Sequence, residues 1–421
     1  MKGQIVASTE RDVAPQGAPA SLSEQVRSNR LSVVMFATLL LSYVVNAADR
    51  QLYPVIAPDI REQFGFSLPQ SGFLVTVFTL GMGLAGIPTG ILLARSSRRF
   101  VVYVGLMIFS AATLLTAFAV GFWDLLAYRF ASGLGEAMQL TALLAIATGY
   151  FVKRRAMAVG ALNFTFGVGA LIGPNVGAAL ATSGDWRTPL IVFGIAGFVV
   201  LGVVSVAVRP WLTEARATAA ETSALEDFGA ASLASRNPIL LGASTALAGL
   251  AMYAYLGLYP TYLREELGFT AGEAGFSLSM YGLGAFFSLA GGWLGDRFDF
   301  RRVLASGMVV AAVVAWLLFG GIDNHALQNV LSFLFGASVS GVVYANLAAG
   351  CIRVMKRSAG GRGSGLFVAS LYIPAAFAGY ITGVLVEWVG WTGAGSVQLS
   401  VLLVASAVLV MLVRQPAEGR L

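Results

Sequence analysis

Four charged residues lie in otherwise apolar stretches of the chain: Asp49, Arg50, Arg129 and Glu136. A charge inside an apolar segment is costly to bury, so such residues normally face a partner or a polar cavity. Burial favours the neutral form of a carboxyl group, whereas a nearby arginine favours its charged form. A carboxylate between these two influences can take up and release a proton as its surroundings change. These residue types therefore offer two kinds of chemistry, which are reversible protonation and the binding of an anion.

The stretches that carry these charges belong to a chain with the composition of a membrane protein. Of its 421 residues, 57% are hydrophobic and 11% are charged, and the mean hydropathy is +0.77. A helix needs about 20 apolar residues to cross a hydrocarbon core of about 30 Å. A membrane β-barrel would need strict alternation, which runs such as AGFVVLGVVSVAV lack. We predict an all-α membrane protein with twelve transmembrane helices, near residues 31–57, 70–93, 101–119, 125–148, 156–181, 188–208, 238–258, 271–295, 303–320, 327–350, 364–385 and 392–413.

The distribution of lysine and arginine predicts the topology. With the N-terminus inside, 22 of the 27 basic residues fall in inner segments, whereas the outer loops hold only Arg61, Arg187 and Arg264. Basic residues are retained on the cytoplasmic side, so we predict a multi-pass plasma (inner) membrane protein with both termini in the cytoplasm. The same bias explains the net charge of +6, and no nucleic-acid partner is expected.

Polar segments divide the chain. We predict a cytoplasmic tail at 1–30, which lacks the hydrophobic run of a signal peptide and is expected to be mobile, and a second cytoplasmic tail at 414–421. A polar linker at 209–237 separates two six-helix halves, at 31–208 and 238–413.

The loops after helices 2 and 8 are similar to each other. GILLARSSRR starts at Gly90 and GWLGDRFDFRR starts at Gly292, and in each loop an arginine follows five residues after the glycine, with an arginine pair after it. The offset of about 200 residues indicates an internal repeat of the kind that builds secondary transporters. The retention of basic residues inside would explain the arginines alone, but it leaves the common position of the glycine to chance.

These loops resemble the signature of the major facilitator superfamily, which reads Gly, three residues, Asp, Arg, one residue, Gly and then basic residues. The resemblance covers the chain from about residue 30 and implies the major facilitator fold. In the first loop Ala94 replaces the Asp and Ser97 replaces the second Gly. The first loop is therefore expected to hold the outward-facing state less firmly than the second. The residues that the resemblance assigns to conformational gating are Gly90, Arg95, Arg98, Gly292, Asp296 and Arg297.

Two further stretches resemble signatures of the same superfamily. LLAYRFASGLGEA, at 125–137, is similar to its helix 4 signature, and GVGALIGPNVGAA, at 167–179, is similar to its helix 5 Gly-Pro signature, which is prominent in drug exporters. Glycines spaced four residues apart, at 169, 173 and 177, form a smooth face that another helix can approach closely. Pro174 loosens the helical hydrogen bonding beside that face. We assign Gly173 and Pro174 to conformational gating.

The combination of NAADR on helix 1 with an arginine and GEA on helix 4 resembles two branches of the superfamily, the anion:cation symporters and the bacterial spinster-like transporters. The resemblance implies proton coupling by Asp49 and Glu136 and substrate binding by Arg50 and Arg129. Because Asp49 and Arg50 are adjacent, their side chains cannot point the same way. The alternative is a static buried ion pair that pins helix 1 to helix 4.

Away from their ends, the predicted spans of the second half carry no charge but several polar aromatic residues. We predict that one group of them lines the substrate cavity: Tyr253, Tyr281, Tyr344, Asn346 and Tyr372. Tyr259 and Tyr262 lie near a helix end and are predicted to be interfacial anchors. The single histidine, His325, is expected to be a solvated residue of an outer loop.

The sequence favours a proton-coupled secondary active transporter that carries a small organic anion by alternating access. The alternative is a proton-driven exporter of lipid-like or drug-like amphiphiles, and sodium remains open as the coupling ion. An enzyme is not expected, because the sequence shows no catalytic constellation, metal cluster or phosphate loop. A channel is disfavoured by the two-half repeat. The expected partners are a small-molecule substrate and the lipid bilayer, without a cofactor or metal, and the chain is expected to be a monomer.

Overall fold

The computed structural model describes residues 22–151, 155–182, 185–214, 230, 232–356 and 360–414. The predicted tails and linker are covered only in part, because residues 1–21, 215–229, 231 and 415–421 lie outside the described residues. The described residues form helices and no strand. In chain order these are α1 (Leu22–Phe64), α2 (Leu68–Thr76), α3 (Phe78–Arg95), α4 (Arg98–Thr116), α5 (Phe122–Tyr150), α6 (Arg155–Thr182), α7 (Arg187–Ala207), α8 (Pro210–Thr213), α9 (Arg236–Glu265), α10 (Ala271–Ala285), α11 (Ser288–Arg297), α12 (Phe300–Leu318), α13 (His325–Gly336), the π-helix π1 (Ala337–Tyr344), α14 (Ala345–Arg353), α15 (Gly360–Ala375), α16 (Ala378–Ala394), the π-helix π2 (Gly395–Val401) and α17 (Leu402–Met411).

Eleven helical stretches within the described part of the chain are long and apolar enough to cross a membrane. The last one spans 50 residues, from Arg362 to Met411, and a continuous helix of that length would far exceed a hydrocarbon core of about 30 Å. It is interrupted at Gly390, whose φ of 71° lies in the left-handed region that favours glycine. The interruption falls between the last two predicted spans, so the eleven stretches are consistent with twelve passes.

Several predicted spans are broken near their middle. The span predicted at 70–93 is divided into α2 and α3 at Val77, and the span at 271–295 into α10 and α11 at 286–287. A third break separates α15 from α16. The Thr76 hydroxyl donates to the Ala376 carbonyl oxygen (2.8 Å) and accepts from the Gly379 N–H (3.3 Å). The break in one half is therefore stabilised by backbone groups freed at the break in the other half.

A second pair of matching segments supports the internal repeat. GFSLPQSGF begins at Gly65 and GFTAGEAGF begins at Gly268, and each segment starts the second helix of its half. Both form a capping box, in which the N-cap hydroxyl accepts from the backbone three residues later. The Ser67 N–H donates to Gln70 Oε1 (2.9 Å), and the Thr270 N–H donates to Glu273 Oε2 (2.8 Å). The same local chemistry therefore begins the equivalent helix in both halves.

The smooth glycine face predicted on α6 packs against α1. A Cβ atom at Gly173 would overlap the backbone of Ala48, and one at Gly177 would press on Leu52. This close approach confirms the predicted use of the face and identifies α1 as its partner. Pro174 lies within α6, which continues past it. The helix that carries Asp49 and Arg50, α1, is therefore packed tightly against α6 within the N-terminal half.

Two tyrosine predictions and the histidine prediction need correction. Tyr259 and Tyr262 are fully buried core residues rather than interfacial anchors. The Tyr259 hydroxyl donates to Gln328 Oε1 (3.0 Å), and the Tyr262 hydroxyl accepts from the Gly321 N–H (3.0 Å). The helix end on which they lie is covered by α13 and the segment before it. His325 is the first residue of α13 rather than a loop residue, and its ring is half exposed.

Candidate functional site

The closest charged pair at the predicted site joins α1 to α5. Arg50 Nη1 lies 2.8 Å from Glu136 Oε1, and both residues are almost fully buried, with 7% and 2% of their surface exposed. The Arg50 guanidinium also lies over the ring of Phe166 at 4.6 Å, and its Nη1 donates to Met82 Sδ at 3.4 Å. Arg50 is thus held by one carboxylate and by neutral, polarisable groups.

Asp49 points to a different helix from its neighbour, as predicted. Its Oδ2 accepts a hydrogen bond from the Thr113 hydroxyl of α4 at 3.1 Å, and its Oδ1 has no hydrogen-bond partner among the described residues. The side chain is 2% exposed. An unpaired buried carboxylate oxygen is costly, so this position is poised to gain a partner when its surroundings change.

Arg129 of α5 lies close to Asp49 without forming an ion pair within the described part of the chain. Its guanidinium stacks over Tyr53 at 4.1 Å and lies 5.1 Å from the centroid of Phe78. Its Nε and Nη2 have no hydrogen-bond partner among the described residues, although its charge interacts with that of Asp49. The two acids and two bases therefore form one tight pair and one looser pair.

A cavity of about 120 Å³ lies between the two halves. Arg50 is the one charged residue that lines it in the described part of the chain. The other half contributes a group of tyrosines that the sequence predicted: Tyr253, Tyr281, Tyr344 and Tyr372. The hydroxyls of the last two lie 3.2 Å apart. The structure thus brings the predicted tyrosines together with one of the two predicted arginines.

Two predicted substrate contacts lie outside the lining of this cavity. The side-chain amide of Asn346 donates to the carbonyl oxygens of Gly291 (2.9 Å) and Val342 (2.8 Å), so it ties α14 to α11. The second is Arg129, whose guanidinium is occupied by its aromatic neighbours. In this conformation the cavity therefore reaches neither of them.

Sequence reasoning missed several lining residues. These are polar or aromatic side chains from both halves: Tyr43, Asn163, Phe166, Ser288 and Ser340. Tyr43 had a usable signal, because it precedes Arg50 by seven residues and so shares a helix face with it. The two serines had none, since small hydroxyl residues occur on every face of a membrane helix.

Ion pairs join the two halves on the predicted outer side. Arg264 of α9 donates to both carboxylate oxygens of Asp59 (2.6 and 2.7 Å) and to the Val55 carbonyl oxygen (2.9 Å) of α1. Beside it, Arg61 pairs with Glu265. The ends of α1 and α9 are therefore held together on this side.

The predicted gating loops make different contacts in the two halves. In the first loop the Arg98 N–H donates to Glu214 Oε2 (3.1 Å), so the carboxylate of Glu214 lies at the start of α4. In the second loop Asp296 pairs with Arg353 at the end of α14. The first loop is therefore anchored to the start of the predicted linker, and the second loop is anchored within its own half.

The other predicted gating residues are more open. Gly90 and Gly292 have no atom near the position of a Cβ, and Arg95 is exposed. Arg297 lies over the ring of Trp293 at 5.5 Å. No packing reason thus accounts for either glycine, and their assignment to gating stays a prediction.

A family comparison covers nearly the whole chain. The model of the Major Facilitator Superfamily matches residues 39–246 and 241–421, so the chain belongs to this superfamily of transporters, as its loops predicted.

The relatives include sugar-acid transporters and the protein spinster of Drosophila melanogaster, which match the two branches that the charged residues suggested. The probable L-galactonate transporter of Escherichia coli (strain K12) is 27% identical over 197 residues, which cover 46% of this chain and less than half, 43%, of that protein. The hexuronate transporter of Bacillus subtilis (strain 168) is 25% identical over 293 residues, covering 68% of this chain and 69% of the relative.

A solved structure shares the fold. A bacterial homolog of the human lysosomal transporter spinster, in an inward-facing and unoccupied conformation, matches with a TM-score of 0.69. The identity is 19%, and the match covers 91% of this chain and 95% of the other. The predicted major facilitator fold is therefore confirmed.

Proposed function

We propose that this protein is a proton-coupled secondary transporter that carries a small organic anion by alternating access. The observation that carries the proposal is the position of Arg50, which faces the cavity on one side and Glu136 on the other. Among the described lining residues an anion in the cavity meets one cationic side chain, and it must compete with Glu136 for that guanidinium.

This competition supplies a coupling mechanism. A proton on Glu136 removes the charge that holds Arg50 and leaves the guanidinium free for the anion. Conversely, an anion on Arg50 removes the partner of the Glu136 carboxylate and favours its protonation, because binding free energies are reciprocal. A buried charge without a partner is costly. The states in which the proton and the anion are both bound, or both absent, are therefore favoured. That preference is the thermodynamic requirement for symport.

The second charge pair fits a relay role. Asp49 directly precedes Arg50 on α1, and Arg129 lies seven residues, or about 10.5 Å, nearer the predicted outer side than Glu136 on α5. We propose that Asp49 exchanges the proton when the cavity opens to that side, with Arg129 moving between the two carboxylates. The unpartnered atoms of both residues support this role.

Alternating access requires the contacts on the predicted outer side to open. The ion pair of Asp59 with Arg264 and that of Arg61 with Glu265 cross between the halves there, so we infer that this conformation is closed to the outside. We further propose that both termini lie in the cytoplasm, that the protein works as a monomer in the plasma membrane, and that the two signature loops gate the movement of the halves.

The substrate class follows from the cavity and the relatives. One cationic group surrounded by tyrosine and serine hydroxyls suits a carboxylate that carries several hydroxyl groups. Galactonate and hexuronate, which the names of the two relatives specify, are compounds of this kind. We therefore propose a sugar acid as the substrate.

An amphiphile is the second candidate. The cavity wall is rich in aromatic and apolar side chains, including Phe166, Met252 and Leu256, which can accommodate an alkyl chain. Proton-driven export of such a compound would use Arg50 and Glu136 as a relay alone.

The test uses purified protein in liposomes that contain a pH-sensitive dye. L-galactonate, D-glucuronate and a lysophospholipid are added separately to wild type, to Glu136→Gln and to the control Glu387→Gln, which alters an exposed carboxylate. We expect a sugar acid to drive proton movement in wild type and the control. Glu136→Gln should exchange labelled sugar acid across the membrane without moving protons. Proton movement with the lysophospholipid alone would replace the anion proposal with the amphiphile one, and normal uphill transport by Glu136→Gln would remove this residue from the mechanism.

A further inference from the structure

A buried chain of side-chain hydrogen bonds joins α1 to α5 beside the charged pair. Asn46 Nδ2 donates to Gln139 Oε1 (2.8 Å), Gln139 Nε2 donates to the Ser42 hydroxyl (2.8 Å), and that hydroxyl donates to the Leu39 carbonyl oxygen (2.6 Å). The three polar side chains have no exposed surface. The proposed transport mechanism does not use them.

The amide pair continues the series of contacts to which the ion pair belongs. Asn46 lies one turn before Arg50 on α1, and Gln139 lies one turn after Glu136 on the antiparallel α5. The next contact along α1 is the stacking of Arg129 on Tyr53, which lies one turn beyond Arg50, whereas Arg129 lies two turns before Glu136 on α5. The two helices therefore meet through three successive contacts, of which the amide pair is the one that carries no charge.

The chemistry of an amide suits it to a task that the ion pair cannot perform. The Arg50 contact must open whenever Glu136 takes up a proton or an anion takes the guanidinium. An amide does not titrate near neutral pH, and breaking a buried amide hydrogen bond leaves two groups without partners, which costs about 1–3 kcal/mol for each. The amide pair therefore persists while the ion pair opens and closes.

We propose that Asn46 and Gln139 are positioning residues, which keep α1 and α5 in register so that Arg50 meets Glu136 again after each opening. The inference rests on the proposed function in one respect, which is that the Arg50–Glu136 pair serves transport. The charged groups that act on Glu136 are Arg50, Asp49 and Arg129, all on these two helices.

The test measures the protection of Glu136 directly. Dicyclohexylcarbodiimide reacts with protonated carboxyl groups in apolar surroundings, whereas a carboxylate held by an arginine is protected. The purified full-length protein is labelled at one neutral pH, and the labelled peptides are quantified by mass spectrometry. We expect Gln139→Leu and Gln139→Asn to label at Glu136 about ten times faster than wild type, since a displaced opposite charge changes the protonated fraction by about that factor.

A complementary exchange of the two amides is the rescue. Asn46→Gln combined with Gln139→Asn restores the summed length of the two side chains and should return the labelling rate to that of wild type. Gln139→Asn keeps a buried amide, so it remains informative if Gln139→Leu fails to fold. Asp49 is the internal control, because its partner Thr113 lies on α4 and a general loosening of the protein would raise its labelling as well.

The outcomes separate this inference from the proposed function. Any one of three results would overturn the positioning role. These are a wild-type rate of labelling at Glu136 in both Gln139 variants, an equal rise in the labelling rate at Asp49, and a double variant that fails to restore the wild-type rate. The labelling needs no substrate. A failure of L-galactonate and D-glucuronate transport in wild type would therefore count against the proposed function alone.

Discussion

The two walls of the cavity differ in the way they carry polarity. The N-terminal half contributes a guanidinium backed by a carboxylate, whereas the C-terminal half contributes tyrosine hydroxyls and no charge among its described lining residues. Charges at membrane depth are costly unless they are paired, and here the charge that lines the cavity, Arg50, finds its partner Glu136 within the same half. The halves can therefore move against each other without separating opposite charges near the cavity.

This difference suggests a division of labour. The charged wall would respond to protons and to the carboxylate of the substrate, while the aromatic wall would recognise the rest of the molecule. The ion pairs on the predicted outer side are an exception, because they do cross between the halves. In the proposed cycle these ion pairs must separate, and their partial exposure keeps the free-energy cost of that separation moderate.

The largest effect is expected from Arg50→Ala. Arg50 is the one cationic group among the described lining residues, and its removal should weaken L-galactonate binding at least about 100-fold, because hydrogen bonds to a charged group contribute about 1.5–3 kcal/mol each. Binding of the radiolabelled compound to purified protein measures the loss, with Arg209→Ala as a control for an exposed arginine. If binding falls by less than about threefold, the charged wall is not the anion site.

Arg129→Gln is expected to separate coupling from binding. Arg129 lies outside the cavity lining, so the affinity for L-galactonate should change by less than about threefold, while the proton flux that accompanies uptake should fall about tenfold. Parallel measurements of binding and of dye response in liposomes provide both values. A loss of binding as large as that of Arg50→Ala would place both arginines in the anion site.

Asp59→Asn is expected to shift the protein toward the conformation that is open on the predicted outer side. The Arg264 guanidinium then loses its charged partner. An ion pair at a partly exposed site contributes about 1 kcal/mol, so its loss should change the ratio of the two conformations about fivefold. Val75 of α2 is buried beside Gly257 of α9, between the two halves. A cysteine introduced by Val75→Cys in a Cys351→Ser background, labelled with an impermeant maleimide, therefore reports the opening. Asp185→Asn is the control, since its ion pair with Arg187 lies within one half. Equal labelling in all variants would argue against a latch at this site.

The smallest effect is expected from Tyr344→Phe. The change removes one hydroxyl from the aromatic wall and the contact with the hydroxyl of Tyr372, so the affinity for L-galactonate should fall about threefold without a change in proton coupling. Tyr380→Phe, an exposed position outside the cavity, is the matched control. A change in coupling would show that the aromatic wall does more than recognise the substrate.

The fold was largely readable from the sequence, whereas the pairing within the site was not. Runs of apolar residues located the helices, and Asp49, Arg50, Arg129 and Glu136 stood out because charge is rare in such runs. Their partners depend on helix rotation, which a linear pattern does not give. The same limit explains the error at Tyr259, whose burial depends on the packing of α13.

Helix interruptions were also beyond the sequence. The break at Val77 separates two helices within one apolar run that shows no proline or charged residue at that point. It is stabilised by Thr76 and the backbone beyond residue 375, a contact between positions 300 residues apart. Local propensity carries no information about such a contact.

By itself the sequence determined the class of the protein, because the hydrophobic effect and the cost of bare backbone polar groups in lipid act on composition and segment length alone. The glycine face of α6, the capping boxes and the group of buried charges are likewise local patterns with local causes. Only the tertiary structure decided that Arg50 pairs with Glu136, that Arg129 and Asn346 lie away from the cavity, and that amides accompany the charged pair. These pairings depend on the relative rotation and register of packed helices. They join residues about 90 positions apart, so no local pattern specifies which buried group has a partner.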